Sequence, residues 1–158
     1  MKETSKPSLD RIDVKILRAL QIDGRLSNAE LAMQVNVSPA TCHRRTQRLF
    51  DKGFITGVRA DLAPEMVGLG TLVMVGVALD RAAPEHRLAF EEAILKMKEI
   101  IDCLLVAGEF DFLLKIRCRD MDDFNRLQGE KLIALPGVRQ TRTFFVMKSV
   151  KENVRLPF

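Results

Sequence analysis

The 158-residue chain has no Trp and no Tyr, only two His, and only three Cys. Each shortage narrows the range of functions. With Trp and Tyr absent and only Phe50 and Phe54 in its basic first part, the chain offers few stacking platforms for single-stranded nucleic acid. His43 and His86 by themselves give histidine acid–base chemistry little material. Cys42, Cys103 and Cys118 are odd in number and lack disulfide-framework or metal-ligand spacing. That argues against a stapled secreted fold and a zinc site, and for a reducing cytoplasm. No apolar run reaches the roughly 18 residues of a membrane-spanning helix. The stretch MKETSKPSLDRID also lacks the apolar core of an export signal. Gly68-Leu69-Gly70 has neither the spacing nor the strand-to-helix context of a nucleotide loop. The expectation is a cytoplasmic protein with no membrane segment, metal or cofactor.

Charge is present in quantity, and its placement is uneven. Lys+Arg number 25 and Asp+Glu 21, a formal net charge of +4. Residues 1–62 hold 11 basic and 7 acidic side chains, so 11 − 7 = +4, and residues 63–158 hold 14 of each. The excess thus belongs wholly to the first part, as in a nucleic-acid-binding module joined to a neutral domain.

Residues 9–24 predict a first helix, with Leu9, Ile12, Ile16, Leu17 and Leu20 at helical spacing and Asp10 and Asp13 at its positive end. Asp23-Gly24 stops it. Ser27 and Glu30 match a capping box opening a short second helix with Leu31, Ala32 and Val35 inward. Asn36-Val37 makes a turn, Ser38-Pro39 starts a third helix, and Gly53 ends it. Phe54 to Leu62 reads as a short extended segment. The stretch 64–70 looks like a hinge, dividing the chain into domains 1–63 and 64–158. Beyond it, strands at 71–79, 100–107, 110–118 and 138–150 alternate with helices at 85–98 and 120–135. The order β-α-β-β-α-β is a ferredoxin-like plan, and the fold class is α+β. Two helices cover only one face of such a sheet, so the other face is expected to meet another subunit.

Three short helices with a tight turn before the last form a helix-turn-helix, whose last helix enters the DNA major groove. Here that helix spans Pro39 to Phe50. Cys42, Thr46, Leu49 and Phe50 fall on one face as packing positions, and Ala40, Thr41, Arg44, Arg45 and Arg48 on the other. Arg can pair with guanine O6 and N7 and Thr with a base edge, and the same arginines can neutralise phosphates. The candidate DNA contacts are Ser38, Pro39, Ala40, Thr41, His43, Arg44, Arg45 and Arg48.

At this point the chain resembles the Lrp/AsnC (feast/famine) family of transcription regulators, closest to its leucine-responsive branch. The likeness is carried by Leu9-Asp10-Arg11-Ile12-Asp13, Asp23 to Ala32, Val37-Ser38-Pro39, Arg48-Leu49 and Gly53-Phe54-Ile55. In the second half it is carried by Leu105 to Lys115, Leu135-Pro136-Gly137-Val138 and Thr141-Arg142-Thr143. The resemblance implies a winged helix-turn-helix joined to a βαββαβ, ACT-like domain for effector binding and assembly. It implies pairing through the C-terminal sheets, dimers assembling further into an octamer, and amino-acid effectors in clefts between C-terminal domains. By the same resemblance, Gly108, Glu109, Phe110 and Asp111 approach the effector, and Val73, Met121, Phe144, Phe145 and Val146 take part in the response. The chain departs from the family pattern at Cys42, His43 and Thr46 in the third helix. It also has Phe112 where Tyr is common.

Two functional classes follow: a DNA-binding regulator modulated by an amino acid, or a stand-alone amino-acid-binding module or metabolic enzyme subunit with a helical extension. The capped basic helix and the sparse catalytic inventory favour the regulator.

Overall fold

The computed structural model describes residues 8–80, 85–152 and 155–158, so residues 1–7, read above for an export signal, lie outside the described residues. The chain divides into two compact units, one reaching Asp61 and rejoined from Glu152, the other Leu62–Lys151.

In the first unit, α1 (Arg11–Ile22), α2 (Asn28–Val35) and α3 (Pro39–Asp51) each start on a side-chain cap. Asp10 accepts the N–H groups of Ile12 and Asp13, and the Asp13 carboxylate accepts the Asp10 N–H in return. Ser27 and Glu30 close the predicted box on α2. Such caps satisfy N–H groups that have no partner inside the helix. Asn36, at φ 60°, takes the left-handed turn between α2 and α3, a conformation Asn tolerates better than most residues. The core holds Ile16, Leu17, Leu31, Ala32, Val35, Cys42 and Leu49. Phe50 is 37% exposed and lies off this core. One residue is about 100° around the helix, and Leu49 already occupies the inward line. Residues 56–63 form no strand, so among the described residues no paired β-wing follows α3.

The first unit also takes back the far end of the chain. The Leu156 N–H donates to Gln21 Oε1 at 2.7 Å, and Arg18 Nε donates to the Phe158 carbonyl at 2.6 Å. The Arg18 guanidinium lies 6.0 Å from the centre of the Phe158 ring. These contacts bind the terminal residues to α1, where the sequence reading had left them in the second domain. No periodicity marks them, because three hydrogen bonds between side chains of α1 and the terminal backbone carry the attachment.

The second unit contains β1 (Thr71–Leu79), α4 (Glu85–Ile94), β2 (Ile100–Leu105), β3 (Phe112–Cys118), α5 (Met121–Leu127) and β4 (Val138–Phe145). The strands form one antiparallel sheet in the order β2-β3-β1-β4. Alternation sorts the side chains. Val73, Val75 and Val77 of β1 and Phe112, Leu114, Ile116 and Cys118 of β3 join Phe90, Ile94, Phe124, Leu127 and Leu132 in one core. Leu72, Met74, Gly76 and Ala78 point to the opposite face with Leu104, Leu113, Arg142 and Phe144. After α5 the chain passes into a π turn at Gln128–Leu132, not the continuous helix predicted to 135; Gly129 within it favours irregular backbone. β4 stops at Phe145 instead of 150 because its partner β1 begins at Thr71, leaving only Val146 N–H to reach the Leu72 carbonyl. Among the described residues no helix is long and apolar enough to cross a membrane.

Candidate DNA-reading helix and effector region

The N-terminus of α3 is fixed twice. Ser38 Oγ accepts the Thr41 N–H at 3.3 Å and donates to Thr41 Oγ1 at 2.9 Å. Asn28 Nδ2 donates to the Pro39 carbonyl at 2.9 Å, tying the start of α2 to the start of α3. Cys42 and Leu49 are buried, and Ser38, Pro39, Ala40, His43, Arg44, Gln47 and Arg48 are exposed. Counted at about 100° per residue, the direction opposite the core runs through Ala40, Arg44 and Gln47, with His43 beside them. Among the described residues Arg44 forms no ion pair.

The three arginines assigned together from sequence are not equivalent. Arg45 Nη1 donates to Asp10 Oδ2 at 2.6 Å and to Asp13 Oδ1 at 2.9 Å, and its side chain is only 19% exposed. Arg48 Nη2 pairs with the other oxygen of Asp13. Asp13 is completely buried. The capping box of α1 is thus also the anion that receives two arginines of α3. Hydrogen bonds from the Asp13 backbone and from Arg45 hold the Asp10 carboxyl below its usual range, and Asp10 and Asp13 raise Arg45. The Thr41 hydroxyl is likewise engaged at the cap. Gln47, absent from the sequence-derived set, lies on the outward face, where its carboxamide donates to Asp51 at 2.9 Å. The helical period placed it there; attention to charge passed it over.

The candidate effector residues lie in two stretches of the second unit. At the β2–β3 connection, Gly108 takes a φ of 152°, and Val106 N–H donates to the Asp111 carbonyl. Asp111 Oδ2 accepts the Leu79 N–H at 2.8 Å, beside the register shift at the end of β1. The Phe110 ring lies against Gly76, where an added Cβ would fall 2.6 Å from it, so the close approach requires glycine. Arg142 lies 5.8 Å from the centre of that ring and pairs with Glu109 at 3.1 Å. Sequence reasoning missed Gly76, whose requirement arises only from the returning loop.

The second stretch lies toward the opposite end of β1. Val73 is fully buried and pairs with Phe145, whose ring meets Phe124 edge-on at 5.3 Å. Phe144 pairs with Met74 on the uncovered face and is 45% exposed, and Met121 at the start of α5 is 49% exposed. Val146 is half-buried. Val73 and Leu79 are six residues apart on one strand, about 20 Å. Asp111 and Val73 thus lie toward opposite ends of β1, whereas Phe110, against Gly76, and Phe144, opposite Met74, sit two positions apart on the uncovered face.

Comparison with known proteins agrees with this organisation. Residues 9–49 match the AsnC-type helix-turn-helix domain and residues 72–156 the Lrp/AsnC ligand binding domain. The chain is 46% identical over 155 residues to the leucine-responsive regulatory proteins of Klebsiella pneumoniae and of Escherichia coli K12, covering 98% of this chain and 94% of each relative. A transcriptional regulator of Neisseria meningitidis, solved as its complex with L-methionine, superposes with a TM-score of 0.91 at 36% identity, covering 95% of this chain and 97% of the other. AsnC of E. coli superposes at 0.87 with 26% identity, covering 96% of this chain and all of its own. Members of this family are transcription regulators and not enzymes, which decides between the two classes read from the sequence. The chain belongs to the Lrp/AsnC family and is a DNA-binding transcription regulator.

Proposed function

We propose that α3 reads duplex DNA through Ala40, His43, Arg44 and Gln47, with Ser38, Pro39 and Thr41 at its N-terminus approaching the backbone. The observation that carries this is the outward direction of Arg44 on a helix whose opposite side is core. A pair of chains places two such helices in successive major grooves, about one helical turn apart or a multiple of it. Pairing uses the sheet face left bare by α4 and α5, where Leu104 and Phe144 are about half exposed beside Met74 and Leu113. Dimers assemble further, with an octamer as the expected product.

An amino-acid effector binds where the β2–β3 loop of one chain approaches a second chain, and it shifts assembly or DNA affinity by its differential affinity for the two states. Support comes from the distance between Val73 and Asp111: a small ligand that responds to both positions must draw on more than one chain. The L-methionine complex of the Neisseria protein supports an amino acid as the ligand class. Asp111 offers a carboxylate to an ammonium group.

A calorimetric screen of the twenty amino acids, with light scattering to follow assembly, tests the effector reading. Asp111→Asn should abolish the response and leave duplex binding intact. A normal response in that variant would remove Asp111 from the pocket. A salt series tests the DNA reading, because a dimer neutralising about eight phosphates gives a log–log slope near −7. A flat slope would overturn it.

A further inference from the structure

The Asp13 side chain is the one fully buried charge among the described residues of the helical unit, and two of the three arginines of α3 converge on it. A buried carboxylate is costly, and well-packed apolar residues are often as stabilising in its place. Its effect on the surface of α3 is specific. Arg45 is compensated by Asp10 and Asp13, Arg48 by Asp13, and Arg44, one residue from Arg45 in sequence, by neither. Two cations are thereby held toward α1 by two anions, forming a locally neutral cluster. One cation remains on the outward line with Ala40, His43 and Gln47.

We propose that the Asp10–Asp13 pair is an affinity-limiting device: it withdraws Arg45 and Arg48 from phosphate binding, which holds down sequence-independent DNA affinity and leaves α3 to engage DNA through its outward, base-reading line. Phosphate contacts raise affinity for every sequence alike, whereas base-edge contacts discriminate. Withholding two arginines per chain lowers the sequence-independent term and leaves discrimination to Arg44, His43 and Gln47. Asp13 is in this sense a positioning residue, acting through the guanidinium groups it holds. The inference rests on α3 being the DNA-reading helix.

The test uses the full chain and two duplexes of about three helical turns. One has mixed sequence, and the other is enriched from a random pool by the unmodified protein. Fluorescence anisotropy gives each affinity from about 50 to 200 mM salt. Asp13→Asn releases one net positive charge per chain, so the slope on mixed-sequence duplex should steepen by about 2 for a dimer. Affinity for both duplexes should rise on the order of tenfold at 0.2 M salt by the same counterion release, leaving their ratio near its original value. Asp10→Asn, which keeps a good N-cap, should shift slope and both affinities in the same direction. It carries the test alone if Asp13→Asn does not fold. Arg48→Gln should leave the slope at its original value. Folded Asp→Asn variants with unchanged slope and unchanged affinity for both duplexes would overturn the proposal. So would a slope flattened by about 2 in Arg48→Gln, since Arg48 would then be a phosphate contact. Failure of the unmodified chain to bind either duplex at low salt would overturn the DNA-reading assignment itself, a result distinct from the other two.

Discussion

The two units of this chain are held together by different chemistry. The sheet unit packs Phe90, Phe112 and Phe124 with branched aliphatics, and all its buried residues are apolar among those described. The helical unit has no aromatic residue in its buried core and includes the buried Asp13, bridged to α3 by two arginines. Dispersion and burial in the first are non-directional and tolerate small shifts. An ion-pair cluster is directional, so it fixes the rotation of α3 as well as its distance from α1. A domain that reads base edges depends on that rotation, whereas a domain that presents a face to another copy depends on a stiff sheet.

The contrast can be broken or sharpened by substitution. Phe124→Ala should cost about 4 kcal/mol, confined to the sheet unit, by loss of transfer energy and creation of a cavity. Calorimetry should show one lowered transition, with amide exchange in α1–α3 unaltered. Equal loss in both units would show that they melt as one body. Asp13→Ala should cost about 3 kcal/mol in the helical unit, because two guanidinium groups lose their shared anion. Hydrogen exchange along α1 and α3 should accelerate while oligomer mass in light scattering stays the same. A loss well below 1 kcal/mol would place the stability of the unit in its small apolar core.

Arg44→Ala should weaken enriched-duplex binding by about 1–3 kcal/mol per half-site. Its folding free energy should change by no more than an ordinary surface substitution, about 0.5 kcal/mol. A comparable loss of folding stability would mean that Arg44, like Arg45, acts inside the unit.

The smallest effect is electrostatic. Asp10 is held below its usual 3.8 by hydrogen bonds from the Asp13 backbone and Arg45, and Glu30 below its usual 4.5 by Ser27. A depressed carboxyl contributes stability that is present above its unfolded value and is lost as pH falls through its folded one. The helical unit should therefore hold its stability above about pH 4.5 and lose it progressively in more acid solution. Circular dichroism melts as a function of pH would show this. Asp10→Asn should flatten the profile.

Much of the architecture was legible because it rests on local rules. Ser27, Glu30, Ser38 and Pro39 announced two helix starts, and the β-branched apolar run at 71–79 announced a strand. The division of α3 into an inward and an outward side was partly legible. Cys42 and Leu49 are inward as expected, but Phe50 is not, and Arg45 turns toward α1. Charge count alone could not separate Arg44 from Arg45, because the separation depends on two aspartates more than thirty residues earlier. The family motif pointed to Val73 and Asp111 together, yet they lie toward opposite ends of one sheet.

The sequence by itself determined the helix-turn-helix, the antiparallel βαββαβ plan, the placement of positive charge in the first unit, and membership of a regulator family. These follow from short-range periodicity, caps and motifs, each contained in a few consecutive residues. Tertiary structure alone decided which arginines face outward, why Gly76 must be glycine, where residues 155–158 attach, and that Val73 and Asp111 lie toward opposite ends of the sheet. Those outcomes depend on contacts between residues far apart in sequence, where a few ångströms separate an ion pair from a free cation.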